Sequence, residues 1–221
     1  MIEKFIRNLE SHLKIYVGLL EVTLELNDFS SNEFLALSNY IENNYNHVVL
    51  QIFNEKYIVN TDHILSACYF AHKAFLSKIN ISKSKNIELL LYLSTNRQIK
   101  NAIYDFGLDY NNGLKQNYLI CIISPQNNLE MIYLDLKKKI TLNEIKLEIE
   151  SKSIEKFYRI KNYFNITDNQ LKVILKSYNL YKEKKNLLDF TLDDLFLALS
   201  DIIREKMLLL SLEKITLNSL L

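Results

Sequence analysis

Glycine is scarce in this sequence of 221 residues, in which it occurs only as Gly18, Gly107 and Gly113. Dinucleotide-binding turns and P-loops need two or three glycines within a few residues, because their backbones approach a phosphate closely. The nucleophile elbow of α/β-hydrolases needs a glycine on each side of its serine. Three glycines in these positions exclude all three kinds of site.

Strong net charge and long apolar runs are also missing, and cysteine occurs only twice. The 27 basic and 26 acidic residues leave a net charge of +1, so any nucleic-acid site must come from a local patch. Cys68 and Cys121 lie in apolar surroundings, which predicts buried free thiols rather than a disulfide. No apolar run approaches the roughly 18 residues of a membrane span, and no basic-then-apolar leader is present. We therefore expect a cytoplasmic protein without a membrane partner.

Length and composition predict a single domain. Hydrophobic residues make up 48% of the chain and charged residues 24%, which is enough apolar material for a sizeable core and too little charge for a disordered chain. We expect one domain over residues 1–221, in which residues 136–190 form an expanded helical region.

The hydrophobic pattern predicts an α+β fold, with a small, mostly antiparallel sheet packed with helices and a helical C-terminal third. The first predicted strand has a second interpretation, a hairpin that turns near Gly18. The predicted strands cover 12–26, 47–53, 118–123 and 129–136. The predicted helices begin at Ser30 or Ser31 and at Thr61, cover 85–93, end at Phe106, and then cover 142–150, 153–163, 168–179 and 191–214.

The segment Asp105-Phe106-Gly107 contains the letters of the magnesium-binding motif of protein kinases. A kinase also needs a glycine-rich loop, a strand lysine and an H-R-D catalytic loop, and none of these occurs. The simpler interpretation is the end of a helix. Phe106 then packs in the core, and Gly107 takes the left-handed conformation that commonly closes helices.

The start of the same helix has the letters of a capping box, in which Thr95 accepts from a backbone N–H and Gln98 reaches back. Arg97 has no part in such a box, and a cation in the first helical turn opposes the macrodipole. Two interpretations stay open. Arg97 is either an exposed side chain that tolerates a small cost, or it faces a phosphate together with the helix N-terminus.

Residues 73–100 form a basic window, with six basic side chains, one acidic residue (Glu88) and a net charge of +5. Such a patch is typical of a surface that binds a phosphate backbone, and the alternative is a solvated edge that happens to be basic. Aromatic and amide side chains in the window can stack on or hydrogen-bond an unpaired base. The candidate phosphate contacts are Lys73, Lys83, Lys85, Arg97 and Lys100, and the candidate base contacts are Tyr92 and Asn96.

The sequence shows no recognisable catalytic or metal site. Its four histidines form no i,i+4 pair and have no Cys-x-x-Cys nearby, which argues against a bound metal. No nucleophile, base and orienting group stand in a known arrangement. We therefore expect a binding protein without catalytic residues, metal or cofactor. The alternative is an enzyme whose site is assembled from scattered polar residues.

Three segments carry a resemblance to a known family: I-L-S-A-C-Y-F-A-H-K-A-F at 64–75, I-E-L-L-L-Y-L-S at 87–94 and N-R-Q-I-K-N-A-I-Y-D-F-G at 96–107. Together they resemble the smallest, kinase-binding subunit of the KEOPS complex, the PRPK-binding protein (TPRKB) family, in an archaeal-type form. R-E-K-M-L-L-L at 204–210 is similar to a family segment in which the glutamate precedes the arginine. The matching residues are His63, Ala67, Glu88, Leu90, Tyr92, Arg97, Gln98, Ile99, Ala102, Phe106 and Gly107.

The resemblance implies a non-catalytic subunit of KEOPS, which installs threonylcarbamoyl on the adenosine next to the anticodon of tRNAs that decode ANN codons. Such a subunit is expected to bind the kinase-like ATPase of the complex, to meet the other subunits indirectly and to hold the single-stranded 3′ CCA end of tRNA. A scaffold that binds the kinase without binding RNA is the alternative.

For kinase binding we favour the apolar positions of the last helix, as in a helix-in-groove contact. The alternative is that these side chains pack on the protein's own sheet. The positions are Ile202, Ile203, Met207 and Leu210.

Overall fold

In a computed structural model of the chain, the described residues are 1–8, 13–25, 30–109, 115–146, 148–178 and 187–219. They form five strands, eight α-helices and a short 3₁₀ helix at Leu187–Asp189. The strands are β1 Ile2–Asn8, β2 Leu13–Glu25, β3 Val49–Asn54, β4 Lys115–Ser124 and β5 Asn143–Ile145. The helices are α1 Ser31–Asn44, α2 Thr61–Leu76, α3 Lys85–Ser94, α4 Ile99–Phe106, α5 Leu129–Lys139, α6 Ile154–Tyr163, α7 Asp168–Ser177 and α8 Leu192–Ser219.

All the described strand pairs are antiparallel, in the order β1-β2-β4-β3. The short β5 pairs with residues 21–23 of β2, beyond the stretch of β2 that pairs with β1. The predicted α+β class, with an antiparallel sheet and a helical C-terminal third, is confirmed.

The sheet is covered by helices on both faces, which explains the nearly continuous apolar runs of β2 and β4. Alternate residues of a strand point to opposite faces. Ile15, Val17 and Leu19 face one core, which contains side chains of α2, α3, α4, α6, α7 and α8. Leu20 and Val22 face the other core, with α1 and α5. The protein is therefore a three-layer structure with one thick and one thin helical layer.

Local capping signals explain where several helices begin. Ser30 and Glu33 form a complete capping box at α1, and Thr167 forms one with Gln170 at α7. Both boxes give hydrogen-bond partners to N–H groups of a first turn, and both helices begin where the sequence predicts. For α2 the cap is Asn60 rather than the predicted Thr61, which is the first helical residue.

Two predictions in the middle of the chain are wrong. Residues 129–136 belong to helix α5 and do not pair with β4, because Leu129, Ile132 and Leu136 share one helical face and pack on the sheet. The described part of 142–150, residues 142–146 and 148–150, is not helical: Asn143–Ile145 form β5, which pairs with β2 beyond β1, and residues 149–150 form a turn. The sheet edge decided this pairing, and local sequence does not reveal it.

The hairpin considered near Gly18 is also wrong, because Gly18 lies inside the continuous strand β2. The pairing partner is β1, a strand that the sequence pattern does not identify. A Cβ at Gly18 would lie 3.0 Å from the Met1 Sδ and 3.5 Å from Leu129. The missing side chain therefore leaves space for neighbours instead of allowing a turn.

Cys68 and Cys121 are buried free thiols, as predicted, with their Sγ atoms 3.8 Å apart. The hydrogen-bond contact with Cys121, followed by burial, raises the pKa of Cys68 well above its usual value, so the thiol stays protonated. Among the described helices, none combines the length and the apolar character that crossing a bilayer requires.

Candidate functional site

The candidate RNA-binding residues are carried by a helical hairpin, α2 and α3, and by the start of α4. The Asn60 side chain caps α2 by accepting from the His63 backbone N–H at 3.0 Å. The His63 ring Nε2 lies 3.0 Å from the carbonyl of Leu93 in the last turn of α3. The two helices are therefore antiparallel. At about 1.5 Å per residue, the ends of the ten-residue α3 are about 15 Å apart.

One group of basic residues, which we call the hairpin end, lies where α2 connects to α3. It consists of Lys73, Lys83 and Lys85. The Lys73 Nζ is 5.7 Å from the ring centre of Tyr69, and the Lys85 Nζ is 5.9 Å from that of Phe75. Lys83 is exposed. Three of the predicted phosphate contacts therefore lie at the same end of the hairpin.

The acidic residue of the basic window is turned inward at the hairpin end. Glu88 is fully buried, and its carboxylate accepts from the backbone N–H groups of Ile81 at 3.0 Å and Ser82 at 2.7 Å. Charge-assisted bonds of this kind hold a connection in one conformation. The exposed charge that the window contributes is consequently all positive. His72 adds nothing to it at neutral pH, because burial and then the charge of Lys85 lower its pKa to about 4.

The second group, which we call the α4 end, consists of Asn96, Arg97 and Lys100. Thr95 precedes it in a left-handed conformation, with φ of 50°. The N–H of Asn96 reaches the Leu91 carbonyl at 3.1 Å, and that of Thr95 reaches Tyr92 at 3.1 Å. These two bonds make a Schellman motif that ends α3.

The predicted capping box is therefore wrong, because Thr95 closes the preceding helix. The N-cap of α4 is Gln98, whose side chain makes no capping bond. The Arg97 guanidinium points towards α8, with its Nη1 3.5 Å from the carbonyl of Leu210. The Asn96 side chain accepts from the Gln98 N–H at 2.9 Å. The α4 end is thus built from a tight turn that rests against the last helix.

Tyr92 lies between the two ends, and only 1% of it is exposed. Its ring stacks on Phe70 with centroids 5.8 Å apart, and its hydroxyl lies 2.8 Å from the Ser211 Oγ of α8. Burial raises the pKa of Tyr92 above its usual value. In this structure the ring has no face open to a base, which corrects the sequence-based choice of Tyr92. The sequence of α3 indicates this burial, because the residues on both sides of Tyr92 are leucines.

The four candidate kinase contacts of α8 point into the protein. Ile202, Ile203, Met207 and Leu210 are all buried in the core that α8 shares with α2 and α7. Four other leucines of the same helix, which we call the outer leucines, reach solvent: Leu197, Leu208, Leu209 and Leu212 are about half exposed. At 3.6 residues per turn, Leu197, Leu208 and Leu212 project away from the core-facing residues, whereas Leu209 projects next to Ile202, seven residues earlier. A helical projection of the sequence therefore separates the two sets only in part.

A comparison with protein families identifies the family to which this chain belongs. A family model described as kinase binding protein CGI-121 matches residues 31–212. The chain belongs to the CGI-121 family. The match begins at α1 and includes both basic ends and the outer leucines of α8. Curated proteins give no match.

In this member of the CGI-121 family, the groups closest to an acid–base arrangement are Glu21, Glu55 and Lys156. Burial, followed by the charge of Glu21, raises the pKa of Glu55 to about 7. The Glu21 Oε2 accepts from the Glu148 backbone N–H at 2.6 Å, and the Lys156 Nζ donates to the Ser151 carbonyl at 3.1 Å. The first bond joins β2, and the second joins α6, to the segment between β5 and α6. We interpret the group as structural.

A cavity of about 750 Å³ lies on the thin helical layer, between α1 and the end of α5. Its charged lining residues among those described are Glu33 and Lys139. Glu33 belongs to the cap of α1, and the Lys139 Nζ lies 4.3 Å from the ring centre of Tyr40. These contacts provide no nucleophile with a base. Across the described ranges, no three His, Cys, Asp or Glu side chains are placed to hold a metal ion.

Proposed function

We propose that this protein is a non-catalytic subunit of the KEOPS complex that binds the kinase-like ATPase and recruits tRNA through its single-stranded 3′ CCA end. The observation that carries the proposal is the match of residues 31–212 to a family of kinase-binding proteins. The resemblance in residues 59–108 adds the KEOPS assignment. The exposed positive charge of the basic window supports the binding of tRNA.

For the kinase contact we replace the four buried positions of α8 by three of its outer leucines. Leu208, Leu209 and Leu212 fall within two turns of each other and are each nearly half exposed. Three large apolar side chains at one place on a surface are typical of a protein interface. The contact therefore involves the C-terminal half of α8, as the sequence predicts, through exposed rather than buried residues.

Co-elution of the full chain with the kinase-like ATPase tests this contact. We expect Leu208→Glu combined with Leu212→Glu to abolish co-elution, because two charges would be buried in an apolar interface. Leu197→Glu is the matched control, since Leu197 is similarly exposed on the same helix about 16 Å away. Loss of co-elution only in the control, or in neither variant, would refute the proposed surface.

For tRNA we retain Lys73, Lys83, Lys85, Arg97 and Lys100 as phosphate contacts and Asn96 as a base contact. The two basic ends are about 15 Å apart along α3, so a single phosphate cannot engage both. A strand that follows α3 would meet the hairpin end with one part of its backbone and the α4 end with another. Such contacts make affinity strongly dependent on salt.

Affinity for tRNA with and without its CCA end tests this second activity. We expect the shortened tRNA to bind more weakly, and Lys83→Glu and Arg97→Glu to weaken binding of the intact tRNA. Lys139→Glu has the same change of charge on the thin helical layer, and should leave the affinity near that of the native protein. Equal affinity for both tRNAs would eliminate the CCA contact. If the protein binds the kinase-like ATPase but not tRNA, it is a scaffold without RNA binding.

A further inference from the structure

We propose that Tyr104, on the outward face of α4, is the residue on which an unpaired base of the RNA stacks, with Lys100 beside it for a phosphate. This inference rests on the proposed tRNA function and adds a base-binding site that Tyr92 cannot supply. The argument uses the orientation of α4, the exposure of its apolar side chains and the charge around them.

The orientation of α4 follows from its two buried residues. Ala102 and Phe106 are fully buried and face the core. Tyr104 stands two residues from each, which is about 200° around the helix axis at about 100° per residue. Its side chain therefore leaves the helix on the side opposite the core.

Helix α4 exposes three of its large apolar side chains. Tyr104 is 84% exposed, the largest value for any large apolar side chain in the described part of the chain, and Ile99 and Ile103 are each 42% exposed. A single exposed apolar side chain needs no explanation. Here Ile103 directly precedes Tyr104, and Ile99 lies one turn before Ile103, and we call these three side chains the α4 patch. Such a patch indicates a surface that another molecule covers.

The charge around the patch favours a nucleic acid over an apolar protein surface. Lys100 is exposed and precedes Tyr104 by one helical turn, about 6 Å along the axis. The first turn of α4 contains no acidic residue. Asp105, the one acidic residue of the helix, is engaged elsewhere, because its Oδ2 accepts from the Tyr163 hydroxyl at 2.8 Å.

Proteins that bind single-stranded nucleic acids combine aromatic rings with nearby cations. The base stacks on the ring without regard to its identity, and the cation binds the backbone. The α4 end also places Asn96 and Arg97 before the first turn of this helix. The whole segment 96–104 therefore presents amide, cationic and aromatic groups to one strand, and Tyr104 takes the role first assigned to Tyr92.

The test measures the affinity of the full chain for a fluorescently labelled single-stranded RNA that ends in CCA. We expect Tyr104→Ala to weaken binding about ten-fold or more, and Tyr104→Phe to stay within about two-fold of the native protein, because stacking needs the ring and not the hydroxyl. Tyr158→Ala is the matched control, since Tyr158 is an exposed tyrosine on α6. Thermal unfolding of Tyr104→Ala should match the native protein, which separates binding from folding.

Abasic substitutions at each of the three CCA positions identify the stacked base. At one position, loss of the base should weaken binding to the native protein and have no further effect on Tyr104→Ala. Independent effects of the two changes at every position would overturn the stacking assignment.

The remaining outcomes separate this inference from the proposed function. If Lys100→Glu and Lys83→Glu weaken RNA binding while Tyr104→Ala does not, the stacking site is refuted and the tRNA function stands. If the native protein binds neither tRNA nor the oligonucleotide, both are refuted. If Tyr104→Ala keeps its RNA affinity but no longer co-elutes with the kinase-like ATPase, the patch is a protein interface and the inference is again refuted.

Discussion

Three of the described helices end at a residue other than glycine whose backbone has the left-handed conformation. Lys78, Thr95 and Asn165 have φ values of 57°, 50° and 51°, and each is followed by the backbone bonds of a Schellman motif. An L-residue in this region costs about 1–2 kcal/mol relative to a right-handed one. Two of these three helix ends shape the candidate site. Lys78 ends α2 at the hairpin end, and Thr95 ends α3 at the α4 end.

Gly107 is required for a reason different from the predicted one. Its φ of −70° and ψ of −173° are extended rather than left-handed. A Cβ at this position would lie 2.4 Å from the Ile103 carbonyl oxygen, to which the Gly107 N–H donates at 2.8 Å. We expect Gly107→Ala to lower the free energy of unfolding by about 2 kcal/mol, because the last turn of α4 must shift. Urea denaturation measures this.

Gly18→Ala is the control for that experiment. A Cβ at Gly18 meets the Met1 Sδ at 3.0 Å, and the end of a flexible side chain moves easily. We expect a change within about 0.5 kcal/mol. Equal losses in the two variants would show that the contact with Ile103 is not the cause.

At the scale of elements, Asn60 joins the start of α2 to the last helix. Its Oδ1 accepts from the His63 N–H, and its Nδ2 donates to the Ser200 Oγ, both at 3.0 Å. We expect Asn60→Ala to lower the free energy of unfolding by about 2 kcal/mol, because a cap and a cross-link are lost together. Asn60→Asp keeps the cap and loses only the donor, so about 1 kcal/mol should be lost. Chemical denaturation provides both values.

A double-mutant cycle separates these two contributions. Ser200→Ala added to Asn60→Asp should cost little more, since the bond between the helices is already broken. Ser30→Ala removes a cap without a cross-link and should resemble the cap part of Asn60→Ala, about 1 kcal/mol. A full additional loss from Ser200→Ala would mean that Asn60 and Ser200 do not act as a pair.

At the scale of the whole molecule, buried titratable groups set opposite dependences of stability on pH. Burial lowers the pKa of His63 to about 4, so below about 6.5 the unfolded chain takes up a proton that the folded chain refuses. Stability is therefore lost as the pH falls from about 6.5 to about 4, by about 3 kcal/mol for this fully buried group.

The pKa of Glu55 is raised to about 7, so the folded chain holds a proton that the unfolded chain loses above about 4.5. Its contribution is lost as the pH rises from about 4.5 to about 7.

Glu55→Gln removes one of these two opposing slopes. We expect the free energy of unfolding of this variant to rise more steeply with pH between about 4.5 and 6.5 than that of the native protein. Urea denaturation at several pH values measures the slope. Glu130→Gln removes an exposed carboxylate of α5 and serves as the control. If both variants have the same slope, Glu55 does not hold its proton in the folded state.

The parts of the fold that the sequence predicts are those with strong local signals. The helix starts near residues 30 and 168 follow from short-range capping hydrogen bonds, and the strand over 118–123 follows from an apolar run between turns. β1, β5 and α5 could not be predicted in the same way. β1 and β5 form because they pair with two successive parts of one edge of β2. α5 forms because its apolar side chains pack on one face of the sheet.

The sequence by itself determined the class of fold, the family pattern and the charge of the segment 73–100, because periodicity, motif and charge belong to the order of residues. Only the tertiary structure decided which side chains reach solvent. It buries Tyr92 and the four chosen positions of α8, and turns Glu88 inward to its backbone partners. It leaves Tyr104 exposed on α4. The physical reason is that a helix has two faces, and the packing of neighbouring elements, absent from any local window, selects the one that is buried.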